Sequence, residues 1–197
     1  MQNLISENND NTNTIDFVPV FKMLNDELIG INESLELICA GGYVMQLNGY
    51  RGTSDVDAFY KSNAVIESII RRVGDEFGIN KPDELWLKNS ISNMNPEPPD
   101  IYCELVHQWP NLTVKAVEMT YLIGMKLVSA RGQDLIDLAD IIRGYKDLQP
   151  FELLSKLAEM KFDIDISILL DAFEGARGMD WLGKFYRENE AELRRFF

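Results

Sequence analysis

The segment GGYVMQLNGYRGTSDVDAF, residues 41–59, sets four glycines, one arginine and two aspartates separated by a single residue within nineteen positions. Read as part of a strand, Asp55 and Asp57 project from one face, roughly 6.5–7 Å apart along the chain. Two carboxylates so placed repel each other unless cations compensate them. Paired hard oxygen donors suit Mg²⁺ or Mn²⁺, since Mg²⁺ takes one or two protein carboxylates and completes its shell with waters and substrate phosphates. Two such ions, about 3.5–4 Å apart, clamp the attacking and leaving oxygens of a phosphoryl displacement. Gly41-Gly42 supplies the complementary half, a turn without side chains whose backbone N–H groups can approach phosphate oxygens. Arg51, Thr53 and Ser54 lie between the halves and offer further phosphate contacts. The whole describes a triphosphate cradle, although an isolated Asp-x-Asp also marks an ordinary solvated strand edge.

The elements needed to position these groups are legible in the flanking pattern. Residues 1–14 are polar and rich in Asn and read as a tail. Phe17, Val20, Phe21, Leu24 and Leu28 recur at helical spacing, predicting a helix from Ile15 to about Gly30. LELICA (35–40) is a short apolar run ended by Gly41-Gly42 and predicts a buried strand. Residues 43–47 suit a turn or two of helix, and DVDAFY (55–60) alternates as a strand. Val65, Ile66, Ile69, Ile70, Val73 and Phe77 share one face of a helix over 63–78. The stretch 81–99, with four of the seven prolines, reads as irregular. Strands follow at 101–107 and 112–117, and then helices at 119–130, 134–146, 150–160, 165–174 and 179–196. The expected organisation is a tail over 1–14, an α/β core over 15–118 and a helical segment over 119–197 packed on that core. The fold class is α+β, a mixed β-sheet flanked by helices.

Composition narrows the function. Nineteen basic against thirty-two acidic residues give a formal charge of −13, which disfavours a long phosphate-gripping surface and favours a local nucleotide site or a basic partner. Cys39 and Cys103 stand sixty-four positions apart in apolar runs, so both are expected as buried, reduced thiols. The first residues carry neither a basic start nor an apolar core, and no run approaches the roughly 18 apolar residues of a membrane span. A cytoplasmic protein without membrane attachment is expected. His107 is the only histidine and reads as a strand-face residue rather than a zinc ligand.

Downstream, Met119, Leu122, Ile123, Leu127 and Ala130 form an apolar stripe that contains Lys126. A lysine there must snorkel outward or find an anion. Asp134 follows Gly132 and suits a helix cap. Asp137 lies off the stripe of Leu135, Leu138, Ala139 and Ile142, which predicts a solvated position. Arg131 is placed to pair with Asp134 or Asp137. Trp181, Leu182, Phe185, Tyr186, Leu193 and Phe196 read as core or as the seam of a homodimer.

Residues 41–59 resemble the first signature of the nucleotidyltransferase superfamily, the DNA polymerase beta-like fold, in which a Gly-Gly or Gly-Ser turn precedes Asp-x-Asp. The Gly-Gly, Gly-x-Arg and Thr-x-Asp-x-Asp variant is similar to small bacterial and archaeal members related to the AbiEii toxins of type IV toxin–antitoxin systems. Trp86-Leu87 and the block MTYLIGMKLVSARGQDLIDLADI (119–141) extend the likeness over residues 35–143. The resemblance implies Mg²⁺-dependent (or Mn²⁺-dependent) transfer of a nucleotidyl group from an NTP to an acceptor hydroxyl on a protein, a tRNA end or a small molecule. Asp55 and Asp57 would hold metal, Gly41, Gly42, Arg51, Thr53, Ser54 and Lys126 the triphosphate, with Arg131 and Asp137 near the site. A third carboxylate is usual on a neighbouring strand, and Glu104 is the best-placed acid for it, ahead of Asp100 and Glu118. The resemblance further implies an antitoxin as partner, while the −13 charge suits a basic protein partner and leaves a third reading, an acidic antitoxin-like partner of a basic protein. The competing expectation is the same fold without turnover, acting as a binding module.

Overall fold

The computed structural model describes residues 14–89, 91 and 96–196, so the expected tail over 1–14 falls almost wholly outside the described residues. The chain divides after Glu118 into two compact units.

The first unit opens with helix α1 (Phe17–Gly30), started by the Asp16 carboxylate accepting the Val18 N–H at 3.0 Å. Then come β1 (Leu35–Ala40), α2 (Gly41–Leu47), β2 (Val56–Phe59), α3 (Ala64–Phe77), β3 (Leu87–Lys88), β4 (Cys103–Gln108) and β5 (Leu112–Val117). Asn63 caps α3 by accepting from Val65 and Ile66, and Gly78 closes it in the left-handed region. The strands form one mixed sheet in the order β3-β2-β1-β5-β4. β1 runs antiparallel to β2 and parallel to β5, β3 runs parallel to β2, and β4 runs antiparallel to β5. Leu35, Leu37 and Cys39 of β1, Val56 and Ala58 of β2, and Leu112 and Val114 of β5 share a core with α1 and α3. The alternate residues, among them Glu36, Ile38, Ala40, Asp57 and Lys115, therefore leave from the opposite face.

Strand β3 lies inside the stretch expected to be irregular. Its anchor is Trp86, whose side chain is fully buried. The indole Nε1–H donates to the Ile70 carbonyl at 2.9 Å, and the ring stacks on Phe17 at 6.0 Å. Asn80 Oδ1 accepts the Trp86 N–H at 3.1 Å. Gly74 makes room for this packing, because a Cβ there would stand 2.5 Å from the indole. Two strand residues are too few to show alternation, so only the buried tryptophan marks the segment.

Cys39 is buried as expected, but Cys103 is only half-buried because β4 is an edge strand with open positions. Desolvation, reinforced by the nearby Asp100, Glu36 and Glu97 and opposed by Lys115, pushes the Cys103 thiol up to about 11.

The second unit consists of α4 (Met119–Ser129), α5 (Gly132–Gly144), α6 (Pro150–Glu159), α7 (Ile166–Arg177), α8 (Met179–Glu188) and the short α9 (Glu190–Leu193). Residues Tyr121 through Leu127 of α4 are all buried while Val128 is exposed, so the expected one-sided stripe is instead a middle stretch of two turns with no exposed residue. Arg177 at the end of α7 lies over the rings of Phe173 and Trp181, 5.0 and 5.1 Å from their centroids. Its guanidinium donates to the carbonyls of Lys146 and Leu148 at 3.0 and 2.6 Å, clipping the α5–α6 loop. The single helix expected over 179–196 breaks at Asn189, whose Nδ2 donates to the Phe185 carbonyl at 2.9 Å and competes with helix continuation. Phe185 and Leu193 pack with Ile166 and Leu170, so these C-terminal residues are core. Among the described residues no helix is long and apolar enough to cross a membrane.

Trp86→Ala is expected to destabilise the protein by about 3–5 kcal/mol, read from urea unfolding, whereas Trp86→Phe, which keeps most of the packing, should cost about 1 kcal/mol. Alkylation of native Cys103 at pH 8 should be far slower than that of a free thiol and should rise about tenfold per pH unit towards pH 11; a rate already saturated at pH 9 would contradict the assignment.

Candidate functional site

The first unit brings one half of the expected cradle together. Strand β2 starts at Val56, so Asp55 occupies the bend before the strand, a correction to its expected strand position. It is nonetheless held firmly. Thr53 Oγ1 donates to Asp55 at 3.1 Å, and the Lys88 ammonium lies 2.7 Å from Asp55 Oδ2. Burial raises the affinity of the Asp55 carboxyl for its proton, but the Lys88 hydrogen bond and charge, with Thr53, outweigh it and leave the group below its ordinary value. Lys88 also takes Glu84 at 2.8 Å, and although desolvation opposes it, these two carboxylates hold the ammonium above its usual range.

Asp57 pairs in register with Ala40 of β1 and with Lys88 of β3, so the Asp57 and Lys88 side chains leave from the same face. Lys88 then reaches back to Asp55, so the ammonium on Asp55 sits on a side chain that leaves from the same face as Asp57. The glycine bend lies against them. Gly41 has φ +58°, and a Cβ on it would stand 2.8 Å from Asp57 Oδ2. A Cβ on Gly42 would stand 2.6 Å from Thr53 Oγ1 and 3.5 Å from Arg51 Nη1. Bare backbone at both positions is therefore a steric requirement of this arrangement.

One expected phosphate contact is assigned differently by the geometry. Thr53 is buried, its N–H donates to Gln46 Oε1 at 2.9 Å and its hydroxyl is engaged with Asp55, so it positions the acid. Ser54 sits half-exposed in the bend beside it. Arg51 is half-buried, with Nη1 donating to the Gly52 carbonyl at 3.2 Å.

Glu104 does not serve as the third carboxylate. It pairs with Ala116, which pairs with Cys39, which pairs with Ala58. That row lies one residue away from Asp57, so Glu104 projects from the opposite face, on the edge strand and exposed. Asp100 is held by Lys115 at 2.7 Å. Among the described residues no three or more His, Cys, Asp or Glu side chains cluster as a metal cage.

Lys126, Arg131, Asp134 and Asp137 belong to the second unit. Lys126 is buried and finds its anions within that unit, 2.6 Å from Asp137 Oδ2 and 2.9 Å from Asp134 Oδ1. Asp137 is fully buried rather than solvated, and Gln133 Nε2 donates to its other oxygen at 2.9 Å. The expectation from the α5 stripe fails because the buried ammonium on α4 draws this carboxylate inward. Asp134 is not the cap either. Arg131 holds the N-cap position, exposed, and Asp134 stands in the first turn facing Lys126.

The donor set in the first unit fits one kind of cation. Two carboxylates beside bare backbone suit an ion of the Mg²⁺ type that completes its shell with waters and phosphate oxygens, and do not suit an all-protein cage. Compared with models of known protein families, with curated proteins and with solved structures, the chain matches none. Lys88 is the site residue that sequence reasoning missed; the buried Trp86 two positions earlier is the signal that would have placed it on the sheet.

Asp137→Ala should leave the buried Lys126 ammonium with Asp134 alone of its two carboxylates and cost up to about 3 kcal/mol in urea unfolding, while the double change Lys126→Met with Asp137→Leu should recover most of that loss. Failure of the double variant to recover would show that the pair has no simple structural role.

Proposed function

We propose that the first unit binds a nucleoside triphosphate with Mg²⁺ and transfers its nucleotidyl group to an acceptor hydroxyl. The observation that carries this reading is the closeness of Asp57 to the Gly41 bend, with Asp55 two residues away and held by Lys88. Asp55 and Asp57 would hold the cation, which when bound neutralises charge on the phosphate oxygens. The bare backbone of Gly41 and Gly42 would offer its N–H groups to the triphosphate, with the Arg51 guanidinium beside Gly42. The acceptor oxygen attacks the α-phosphorus, a new P–O bond forms as the bond to the bridging oxygen breaks, pyrophosphate leaves, and the hydroxyl proton passes to Asp57 or to water. Catalysis then comes from positioning and charge compensation. Lys126 is left out of this site, since its ammonium already serves two carboxylates.

A second reading, nucleotide binding without turnover, is favoured by the position of Glu104 on the opposite face of the sheet. Calorimetry separates the site from its absence: NTP binding should require Mg²⁺ and weaken at least about tenfold in Asp57→Asn with the fold unchanged. Transfer of label from an α-labelled NTP to extract components then distinguishes enzyme from binding module, and equal affinity in Asp57→Asn would refute the site itself.

A further inference from the structure

Resting on that reading of the site, we propose that Lys88 is a nucleotide-binding residue that guards Asp55 in the free protein and is handed to the phosphates when a divalent cation takes Asp55. The ammonium lies 2.7 Å from Asp55 Oδ2, on the side of the sheet from which Asp57 projects, so it holds the place a cation bound to Asp55 Oδ2 would claim. A second ligand, Glu84, shares it at 2.8 Å, and Glu84 is exposed on the loop before β3. The ammonium therefore keeps one carboxylate when it gives up the other, and its three donors leave room for a phosphate oxygen. Its side chain is 24% exposed, which leaves it reachable from solvent. Without Lys88, the partly buried Asp55 carboxylate would lose the ammonium that compensates it whenever no metal is bound. With Lys88 fixed in place, Asp55 would reject a divalent cation by like-charge repulsion. A lysine shared between Asp55 and an exposed glutamate resolves both problems.

The test measures Mn²⁺ binding and Mn²⁺-dependent NTP binding to the full chain for the parent protein, Lys88→Met, Lys88→Gln and Asp57→Asn, counting only the binding that Asp57→Asn abolishes. Thermal melting confirms that each variant is folded. Both Lys88 variants should bind Mn²⁺ alone about five- to tenfold more tightly, because the competing charge is gone. At saturating Mn²⁺ they should bind NTP about tenfold more weakly, because a charge-assisted phosphate contact is lost. A purely structural lysine would not move the two affinities in opposite directions. Unchanged or weaker Mn²⁺ binding, or tighter Mn²⁺ with undiminished NTP affinity, overturns the role of Lys88 and leaves the Asp55–Asp57 site standing. Absence of Mn²⁺ binding sensitive to Asp57→Asn in every protein overturns both.

Discussion

Burial of the Trp86 indole ties the chemistry of the first unit to its fold. The ring fills the core between α1 and α3, and its one polar atom is satisfied by the Ile70 carbonyl, so no penalty for a buried donor opposes the packing. Because the indole is held there, the Trp86 carbonyl accepts the Val56 N–H at 2.7 Å and the next two residues pair with β2 as a parallel edge strand. Only that pairing brings Lys88 level with Asp57 and within reach of Asp55. A tryptophan in the core thus sets the electrostatics of the Asp55 carboxylate.

The two units solve the same problem differently. In each, a lysine lies between two carboxylates, but Lys126 is enclosed with a fully buried Asp137, whereas Lys88 meets a half-buried Asp55 and an exposed Glu84. An enclosed pair has no water to fall back on, so separating it is costly and it acts as a fixed tie. A pair at the surface can exchange partners with little loss. This contrast is why Lys88, and not Lys126, is the lysine assigned to ligand exchange.

Much of the first unit was readable from local pattern. LELICA became β1 with the expected bounds, Asn63 and Gly78 bracket α3 as capping residues do, and the glycine bend and the acids were found by type and spacing. Other features depend on contacts that no local pattern encodes. Glu104 looked well placed in sequence, yet which face a strand residue takes depends on register with its neighbours, and here register turns it away. β3 was missed because two residues cannot display a period. Asp137 was misread because a helical wheel of α5 knows nothing of the ammonium that α4 presents to it. That partner was deducible in principle, since a lysine in an otherwise apolar helix requires an acid nearby.

The left-handed conformation of Gly41 and its closeness to Asp57 have a bearing on how this sequence can drift. The constraint runs one way: a methyl group at the bend meets the carboxylate and is strained by the left-handed backbone, whereas the side chain at 57 can change with the glycine in place. Descendants of this chain should therefore shed the acid before the glycine, and a non-glycine residue at 41 would mark a lineage in which the bend itself has been rebuilt.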